Sequence, residues 1–335
     1  MSMPNIAICG ATGLVGEKVL QILEERNFPA DQLRLFASER SVGRKYRFKD
    51  REYVVESLEH AAFQGLDVAF SALDDALTHK YVPRLMKHCL VVDKSAAFRM
   101  KDDVPLVVPE VNPDAIAGHR NLIATPNCTT IPLVVAIFPL HREFGLKRIV
   151  LTSYQAASGA GRDALDEYQY ETEFIALKQP VERPDDSPFP VQLAGNVIPQ
   201  AGKFQHDGFT TEEHKTIQET RKIMGLPELK ITATCVRVPV AVGHCLAVLL
   251  EFEKPAAPKK IEDVLKRAAG VVVMNGDRYL TPVDVQERDE VFVGRIRRDT
   301  SSDNGILLWI ATDNLRKGAA TNAVQIAELA LKKNS

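Results

Sequence analysis

The sequence has no charge of either sign to spare: 42 Lys and Arg face 44 Asp and Glu, and no basic run with interleaved aromatics occurs. That balance excludes nucleic acid and membrane surfaces as expected partners and leaves a small molecule. Cysteine is scarce and shows no pairing pattern. Cys9, Cys89, Cys128, Cys235 and Cys245 are odd in number, widely spaced and free of CxxC pairs, which argues against a disulfide framework and a structural zinc site and fits a reducing cytoplasm. No metal is expected. No apolar run approaches the ~18 residues of a membrane span, and Met1-Ser2-Met3-Pro4-Asn5 leads into a strand-like segment without a signal-peptide pattern. Internal repeats and low-complexity segments are also missing. What is present, 335 residues with 45% hydrophobic content, is enough for two conventional cores.

The chain is organised around Thr125-Pro126-Asn127-Cys128-Thr129-Thr130-Ile131, set between the apolar run Asn121 to Ala124 and the helix-like stretch Pro132 to Phe144. Cys128 is therefore expected at a strand-to-helix turn. A thiol there faces unsatisfied N–H groups and the positive end of the helix dipole, which lowers a cysteine pKa from about 8.5 towards about 3.5 to 7.5. Free cysteines more often act as small buried hydrophobes. Position sets Cys128 apart from the other four.

Ahead of it, Asn5-Ile6-Ala7-Ile8-Cys9 reads as a buried parallel strand that delivers the chain into Gly10-Ala11-Thr12-Gly13-Leu14-Val15-Gly16. A helix follows, with Val15, Val19, Leu20, Ile22 and Leu23 at helical spacing, and Asn27-Phe28-Pro29 stops it. Glycines between such a strand and helix let the backbone approach a pyrophosphate at the helix N-terminus, although the spacing here is GxxGxxG. The second strand, Gln32 to Ala37, ends in Ser38-Glu39-Arg40-Ser41. Arg40 between serines suits a 2′-phosphate and hence NADP, while Glu39 leaves NAD open. Leu66 to Ser71 and Leu90 to Asp93 read as further strands around a helical stretch, Ala76 to Cys89, that Pro83 should kink or shorten. The alternation predicts a doubly wound parallel sheet with ligands at the carboxyl ends of its strands, where Ser71, Ser95 and Cys128 lie.

From Arg148 the strands become longer and β-branched, which predicts a second domain with an antiparallel sheet. Arg148 to Gln155 runs into the small-residue loop Ala156-Ala157-Ser158-Gly159-Ala160-Gly161, followed by a helix over Arg162 to Leu177 and a proline-marked irregular stretch. Thr210 and Glu213 have capping-box spacing, and Glu212 and Lys215 share a helix face as an ordinary exposed ion pair would. Ile231 to Val238 and Cys245 to Phe252 read as neighbouring strands. Arg237 interrupts the first of these and needs an anionic partner; His244, after Gly243, has the pKa for proton transfer near neutrality; either residue is also compatible with a structural role. Val291 to Arg298 and Ile306 to Thr312 form a predicted hairpin, and Lys317 to Lys333 a last helix with alanines on one face, returning to the first domain.

Six stretches together carry a resemblance: Gly10 to Gly16, Asp93-Lys94-Ser95-Ala96-Ala97-Phe98-Arg99, Pro126 to Thr130, Ser153 to Gly161, Arg237-Val238-Pro239-Val240-Ala241-Val242-Gly243-His244 and Asp313-Asn314-Leu315-Arg316-Lys317-Gly318-Ala319-Ala320. In this order and spacing the chain resembles the aspartate-semialdehyde dehydrogenases over essentially its whole length. The resemblance implies an α/β protein: a Rossmann-type doubly wound domain (1–127 plus 314–335) and an α+β catalytic and dimerisation domain (128–313) with a mainly antiparallel sheet, assembled as a cytoplasmic homodimer. It further implies NADPH-dependent conversion of L-aspartyl 4-phosphate to aspartate semialdehyde and inorganic phosphate, on the route to lysine, diaminopimelate, methionine, threonine and isoleucine.

The same resemblance assigns roles to individual residues. Cys128 is the nucleophile that forms a thioester, His244 the general acid/base and Gln155 the residue that orients the reacting pair. Asn127 assists at the phosphate or the oxyanion. Arg237 pairs with the substrate carboxylate, Glu212 meets its ammonium, and Lys215 and Arg99 form the phosphate site. Gly10, Thr12, Gly13, Leu14, Val15, Arg40, Ser41, Ser71, Ser158, Gly159 and Asn314 map to the NADP site. Cys245 and Gly195 depart from residues common in the family, at positions without a chemical role. An N-acetylglutamyl-phosphate reductase shares the fold and chemistry, but its substrate offers no ammonium to Glu212. Glyceraldehyde-phosphate dehydrogenase lacks these flanking motifs. A catalytically inactive paralogue would be expected to have lost Cys128, Gln155, Arg237 or His244.

Overall fold

The computed structural model describes residues 3–333; residues 1, 2, 334 and 335, the outer ends of the expected first domain, lie outside the described residues. The chain divides into two compact units, one from the described residues of Met1–Asn127 and Ala319–Ser335, the other Cys128–Gly318. The second crossing falls inside a π-helical turn, Arg316–Ala320, where the sequence reading expects it before Asn314.

In the first unit, β1 (Ile6–Cys9) is buried throughout and leads through the glycine turn into α1 (Leu14–Glu25). There follow β2 (Leu33–Ala37), β3 (Lys45–Phe48), β4 (Arg51–Ser57), β5 (Val68–Ser71), α2 (Asp75–Leu85), β6 (Leu90–Asp93) and β7 (Leu122–Ala124). The strand order is β3-β4-β2-β1-β5-β6-β7, parallel except for the antiparallel β3–β4 pair at one edge. The sequence reading passes over β3 and β4. Their Lys45-Tyr46-Arg47-Phe48 and Arg51-Glu52-Tyr53-Val54 mix charge with aromatics, as an exposed edge strand does, and offer no apolar run. Helix α2 is capped by Asp74, whose carboxylate accepts from the Leu77 N–H at 2.8 Å, and it ends at Leu85, short of the expected Cys89. Pro83 withholds one helix hydrogen bond and crowds the preceding turn, so the helix closes two residues later.

The second unit opens with α3 (Thr130–Phe144) and β8 (Leu146–Gln155), then α4 (Arg162–Ala176), α5 (Thr211–Met224), β9 (Lys230–Arg237), β10 (His244–Phe252), α6 (Pro258–Leu265), β11 (Val271–Val273), β12 (Val291–Arg298) and β13 (Gly305–Thr312). The predicted capping box at Thr210 and Glu213 and the β12–β13 antiparallel pair are both present. The sheet, ordered β11-β12-β13-β10-β8-β9, is mainly antiparallel as expected, with β8–β9 and β11–β12 paired in parallel. One expectation is corrected. Strands β9 and β10 are not neighbours, because β8 lies between them, parallel to one and antiparallel to the other.

The link from β9 to β10 is too long and too rigid for a tight hairpin, with Pro239 in it, and it passes across the end of β8 instead. There Ala157 N–H donates to the Val240 carbonyl at 2.8 Å and Ser158 N–H to that of Ala241 at 3.1 Å. This topology brings the last residues of β8 and β9 and the first of β10 to one sheet end. Gln155 pairs with Arg237, and Tyr154 with Cys245 beside His244.

The C-terminal helix α7 (Thr321–Lys333) belongs to the first unit, where Ala323, Val324 and Ala327 pack in one core with Ile6, Ile8, Phe70, Val92 and Ile123. The tightest approach in that unit is at α1. A Cβ on Gly16 would lie 2.2 Å from the Gly10 carbonyl oxygen and 2.9 Å from Ala11 Cα, so the helix sits on the turn that introduces it. Gly16→Ala should therefore destabilise the protein by about 1 to 3 kcal/mol, as overpacking against backbone does. A lowered urea midpoint checks this; an unchanged one would contradict the packing.

Candidate active site

Cys128 occupies the turn ahead of α3, two residues before the helix begins, and is the one partly exposed cysteine of the five. Thr129, which caps α3, makes no side-chain capping bond, so its hydroxyl does not occupy the first turn's N–H groups. Burial pushes the thiols of Cys89, Cys235 and Cys245 up to about 12 and that of Cys9 higher, which makes these four inert. The π-helical turn also packs on Cys128: a Cβ on Gly318 would stand 3.2 Å from Cys128 Cβ.

Gln155 is buried at the end of β8, and its amide nitrogen donates to Thr129 Oγ1 at 3.0 Å and Ser153 Oγ at 3.1 Å. It thereby ties the strand to the residue after Cys128. Arg237, at the end of β9, is buried, and its Nη1 donates to the Ala156 carbonyl at 2.7 Å. Burial lowers its pKa, and the charges of Glu212 and Cys128 act in the opposite sense, which sets both groups within electrostatic reach of the guanidinium. Glu212 lies on α5, 3.6 Å from Lys215, with Lys215 the more exposed partner.

His244 begins β10 and is buried, with Nδ1 accepting the Ala156 N–H at 3.1 Å. The sequence reading gives this ring a pKa near neutrality. In the fold, burial first and Arg237 second push it down to about 3, against a weaker pull from the Gly243 backbone in the other direction. The ring is neutral at physiological pH. Gly159 stands against both groups: a Cβ there would be 2.8 Å from His244 Nε2 and 2.9 Å from Arg237 Nη1. Asn314 braces the same corner, its Oδ1 accepting from Gly243 N–H at 2.8 Å and its Nδ2 donating to Ser158 Oγ at 3.0 Å. Ser158, Gly159 and Asn314, expected at the cofactor, thus also hold the histidine. Sequence reasoning missed Thr129, Ser153, Ala156 and Gly318 as supports. All four lie inside the motif stretches, but nothing in the sequence singled them out within those stretches.

The remaining expected residues lie in the first unit. Gly10, Thr12, Gly13 and Arg40 line a cleft of about 710 Å³ at the N-terminus of α1, together with Glu39 and Tyr81. Gly13 caps α1 without a side-chain bond, and a Cβ on it would meet only the Gly10 oxygen at 3.4 Å, which leaves the approach to the first helical turn open. Thr12 and Ser41 hydroxyls are 3.2 Å apart. Leu14 and Val15 start the helix, and Ser71 ends β5. The Glu39 carboxylate accepts from Ser57 Oγ, while Arg40 is exposed and makes no ion pair among the described residues. Arg99, buried, donates to the Lys94 carbonyl, and Asn127 is buried at the end of the unit. The cleft fits a dinucleotide: a helix N-terminus for the pyrophosphate and, for the ribose end, Arg40 in a lining that also holds Glu39, Glu59 and Asp74.

A partly exposed cysteine at a helix start and a buried neutral histidine in the same unit, with a dinucleotide-sized cleft in the other, define a nicotinamide-dependent semialdehyde dehydrogenase. The profile described as "Semialdehyde dehydrogenase, NAD binding domain" matches residues 5–119, and "Semialdehyde dehydrogenase, dimerisation domain" matches residues 137–317. Aspartate-semialdehyde dehydrogenase of Aquifex aeolicus is 46% identical, with 98% of each chain covered. Among solved structures, aspartate semialdehyde dehydrogenase II of Vibrio cholerae complexed with ASA is 42% identical at a TM-score of 0.97, covering 100% of both chains. The Candida albicans aspartate semialdehyde dehydrogenase with NADP is 25% identical at a TM-score of 0.75, covering 99% of both. The chain belongs to the aspartate-semialdehyde dehydrogenase family and is an oxidoreductase with an NAD(P)-binding domain. No described helix is long and apolar enough to cross a membrane.

The depressed pKa of His244 has a consequence for stability. Between about 3 and the ordinary 6.5 the unfolded chain binds a proton that the folded ring refuses, so stability from this position is complete above 6.5 and is lost as pH falls towards 3. Acidification from neutrality into this window should lower the urea midpoint more steeply in the parent protein than in His244→Gln. Parallel profiles would show that the folded ring titrates normally.

Proposed function

We propose that the protein reduces L-aspartyl 4-phosphate to aspartate 4-semialdehyde through a thioester on Cys128, and works as a cytoplasmic homodimer. The observation that carries this reading is the convergence of Cys128, Gln155, Arg237 and His244 at one end of the mixed sheet. The Cys128 thiolate attacks the acyl-phosphate carbonyl carbon; the S–C bond forms, the C–O bond to phosphorus breaks, and phosphate departs. The bound nicotinamide supplies the hydride that reduces the thioester carbonyl carbon. The alkoxide then collapses, the C–S bond breaks, and Cys128 returns as thiolate. His244 attends the carbonyl oxygen throughout, and Gln155 keeps the nucleophile's turn in place through Thr129.

Arg237 is assigned to the substrate carboxylate, since a buried guanidinium with one protein hydrogen bond at 2.7 Å retains donors for a planar anion. Glu212, within electrostatic reach of it, is assigned to the ammonium. An N-acetylated substrate would leave that carboxylate without its partner, which favours the free amino acid. Lys215, Arg99 and Asn127 are assigned to the phosphate. The ribose end of the cofactor is assigned to Arg40 and Ser41, with NADP preferred: Glu39 is engaged by Ser57, and Arg40 is exposed at the cleft with no ion pair among the described residues. Gly10, Thr12, Gly13, Leu14 and Val15 hold the pyrophosphate, and Ser71 borders the same sheet edge.

The test follows NADPH formation from NADP and aspartate semialdehyde with and without inorganic phosphate. Turnover should require both phosphate and Cys128, and Cys128→Ala should be inactive while still folded and NADP-binding. Phosphate-independent turnover, or activity in the alanine variant, would overturn the thioester route. Arg237→Leu should lower kcat/KM for the semialdehyde by roughly 100-fold or more, the cost of a buried carboxylate left without its charged partner. Arg40→Ala should cut the NADP over NAD preference by about tenfold, the value of one charged contact. Unchanged values would move the carboxylate or the 2′-phosphate to other groups.

A further inference from the structure

Arg237 closes β9, the outermost strand of the mixed sheet, so its backbone has a neighbouring strand on one side only. There it lies level with Gln155 of β8, and the next N–H, that of Val238, donates to the Gln155 carbonyl at 3.0 Å. On the outer side it meets a single residue. The Arg237 N–H donates to the Ile198 carbonyl at 2.8 Å, and the Ile198 N–H donates back to the Arg237 carbonyl at 2.9 Å. Ile198 belongs to the proline-marked stretch between α4 and α5, which forms no helix or strand. Such a segment has no ladder to set its position, so other groups must satisfy its backbone and place it.

Helix α4 supplies them. Glu171 is fully buried, and its Oε2 accepts both the Leu193 N–H at 2.8 Å and the Ala194 N–H at 2.9 Å, while Oε1 accepts from Arg183 Nε at 3.1 Å. A carboxyl group without exposure is costly to bury, and engaged oxygens offset that cost. Three residues earlier, on the same face of the helix, Tyr168 donates its hydroxyl to the Pro239 carbonyl at 2.7 Å, two residues beyond Arg237. Ala164 of α4 also shares a small core with Phe189, Leu193, Ile198 and Ala157, and the residue before Ala157 accepts from Arg237 Nη1. The helix thus reaches the arginine by three routes: Ile198 beside it, Pro239 after it and the Ala156 carbonyl at its tip.

We propose that Glu171 and Tyr168 are positioning residues for Arg237, holding the end of β9 so that the guanidinium meets the substrate carboxylate in plane. This rests on the assignment of Arg237 to that carboxylate above and deepens it. A guanidinium pairs with a carboxylate through two parallel N–H bonds, a geometry that a small tilt breaks and a point charge would not require. Misplacing a positioned group by about 1 Å can cost about 100-fold in rate. The last residue of an outer strand is open to such a shift, because ladder bonds restrain it from one side and the rest falls to Ile198 and Pro239. The turn that carries Cys128 is held separately, by Gln155 through Thr129. Disturbing α4 should therefore weaken carboxylate recognition and spare the chemical step.

The test is a mutant cycle in the phosphate-dependent assay with aspartate semialdehyde. Tyr168→Phe removes one hydroxyl and keeps the ring, Glu171→Leu removes both backbone acceptors, and Glu171→Gln keeps an acceptor oxygen for Leu193 and Ala194. KM for the semialdehyde should rise about threefold in Tyr168→Phe and about tenfold in Glu171→Leu, with kcat within about twofold of the parent in both. The glutamine variant should keep a parental KM; one as impaired as leucine would overturn the backbone cradle. In an Arg237→Leu background the same substitutions should cause no further loss of kcat/KM, since no guanidinium is left to misplace. Losses that multiply with that of Arg237→Leu, or a fall in kcat at unchanged KM, would show a general structural role and overturn the proposal. If Glu171→Leu does not fold, Tyr168→Phe decides the matter, and an unchanged KM there overturns it. An Arg237→Leu variant with parental kcat/KM would fell the carboxylate assignment and the positioning role together. A large loss in Arg237→Leu with silent α4 variants would strike the positioning role alone.

Discussion

Two hydrogen bonds made by the backbone of a single residue hold the second unit's chemistry together. Ala156 gives its carbonyl to Arg237 Nη1 at 2.7 Å and its N–H to His244 Nδ1 at 3.1 Å. One residue with no functional side chain thus fixes a buried cation and a buried neutral ring side by side. Each would be costly to bury alone, since an unpaired polar group in a low-dielectric interior forfeits its hydration without return. The arrangement sets the electrostatics as well, because the guanidinium held in this way helps keep the imidazole uncharged.

The mixed sheet makes that corner possible. Parallel pairing of β8 with β9 brings Gln155 level with Arg237, and antiparallel pairing of β8 with β10 brings His244 back to the same end. In an all-antiparallel sheet with β9 and β10 as a hairpin, β8 would not lie between them and the Ala156 turn could not reach both. Asn314, bonded to Gly243 N–H and Ser158, then ties the far end of β13 to this corner. In the first unit the governing constraint is closeness of backbone to backbone, at Gly16 over Gly10, which sets the helix α1 N-terminus at the mouth of the cleft.

Much of this was legible in the sequence, for reasons that differ from residue to residue. The parallel strands β1, β5 and β6 announced themselves as short apolar runs, and α1, α4 and α5 as periodic or capped segments, because burial on both faces or one stripe leaves a clear pattern. The edge strand β3 and its neighbour β4 left none, since much of each faces water. The place of β8 between β9 and β10 is a long-range pairing that no local pattern encodes. Side-chain identity marked Cys128, Arg237 and His244 as chemical. Environment decided how His244 behaves: the same imidazole that titrates near neutrality in water is driven down to about 3 by burial and Arg237. Ala156 was illegible altogether, because its contribution comes from backbone groups that every residue possesses.

The central claim is that Cys128 carries the acyl group, and intact-protein mass spectrometry tests it most directly. Incubated with aspartate semialdehyde and NADP but no phosphate, the protein should accumulate one aspartyl adduct per chain, localised by digestion to the peptide containing Cys128 and discharged when phosphate is added. An unmodified Cys128 in protein that has formed NADPH, or an adduct on any other residue, would contradict the account.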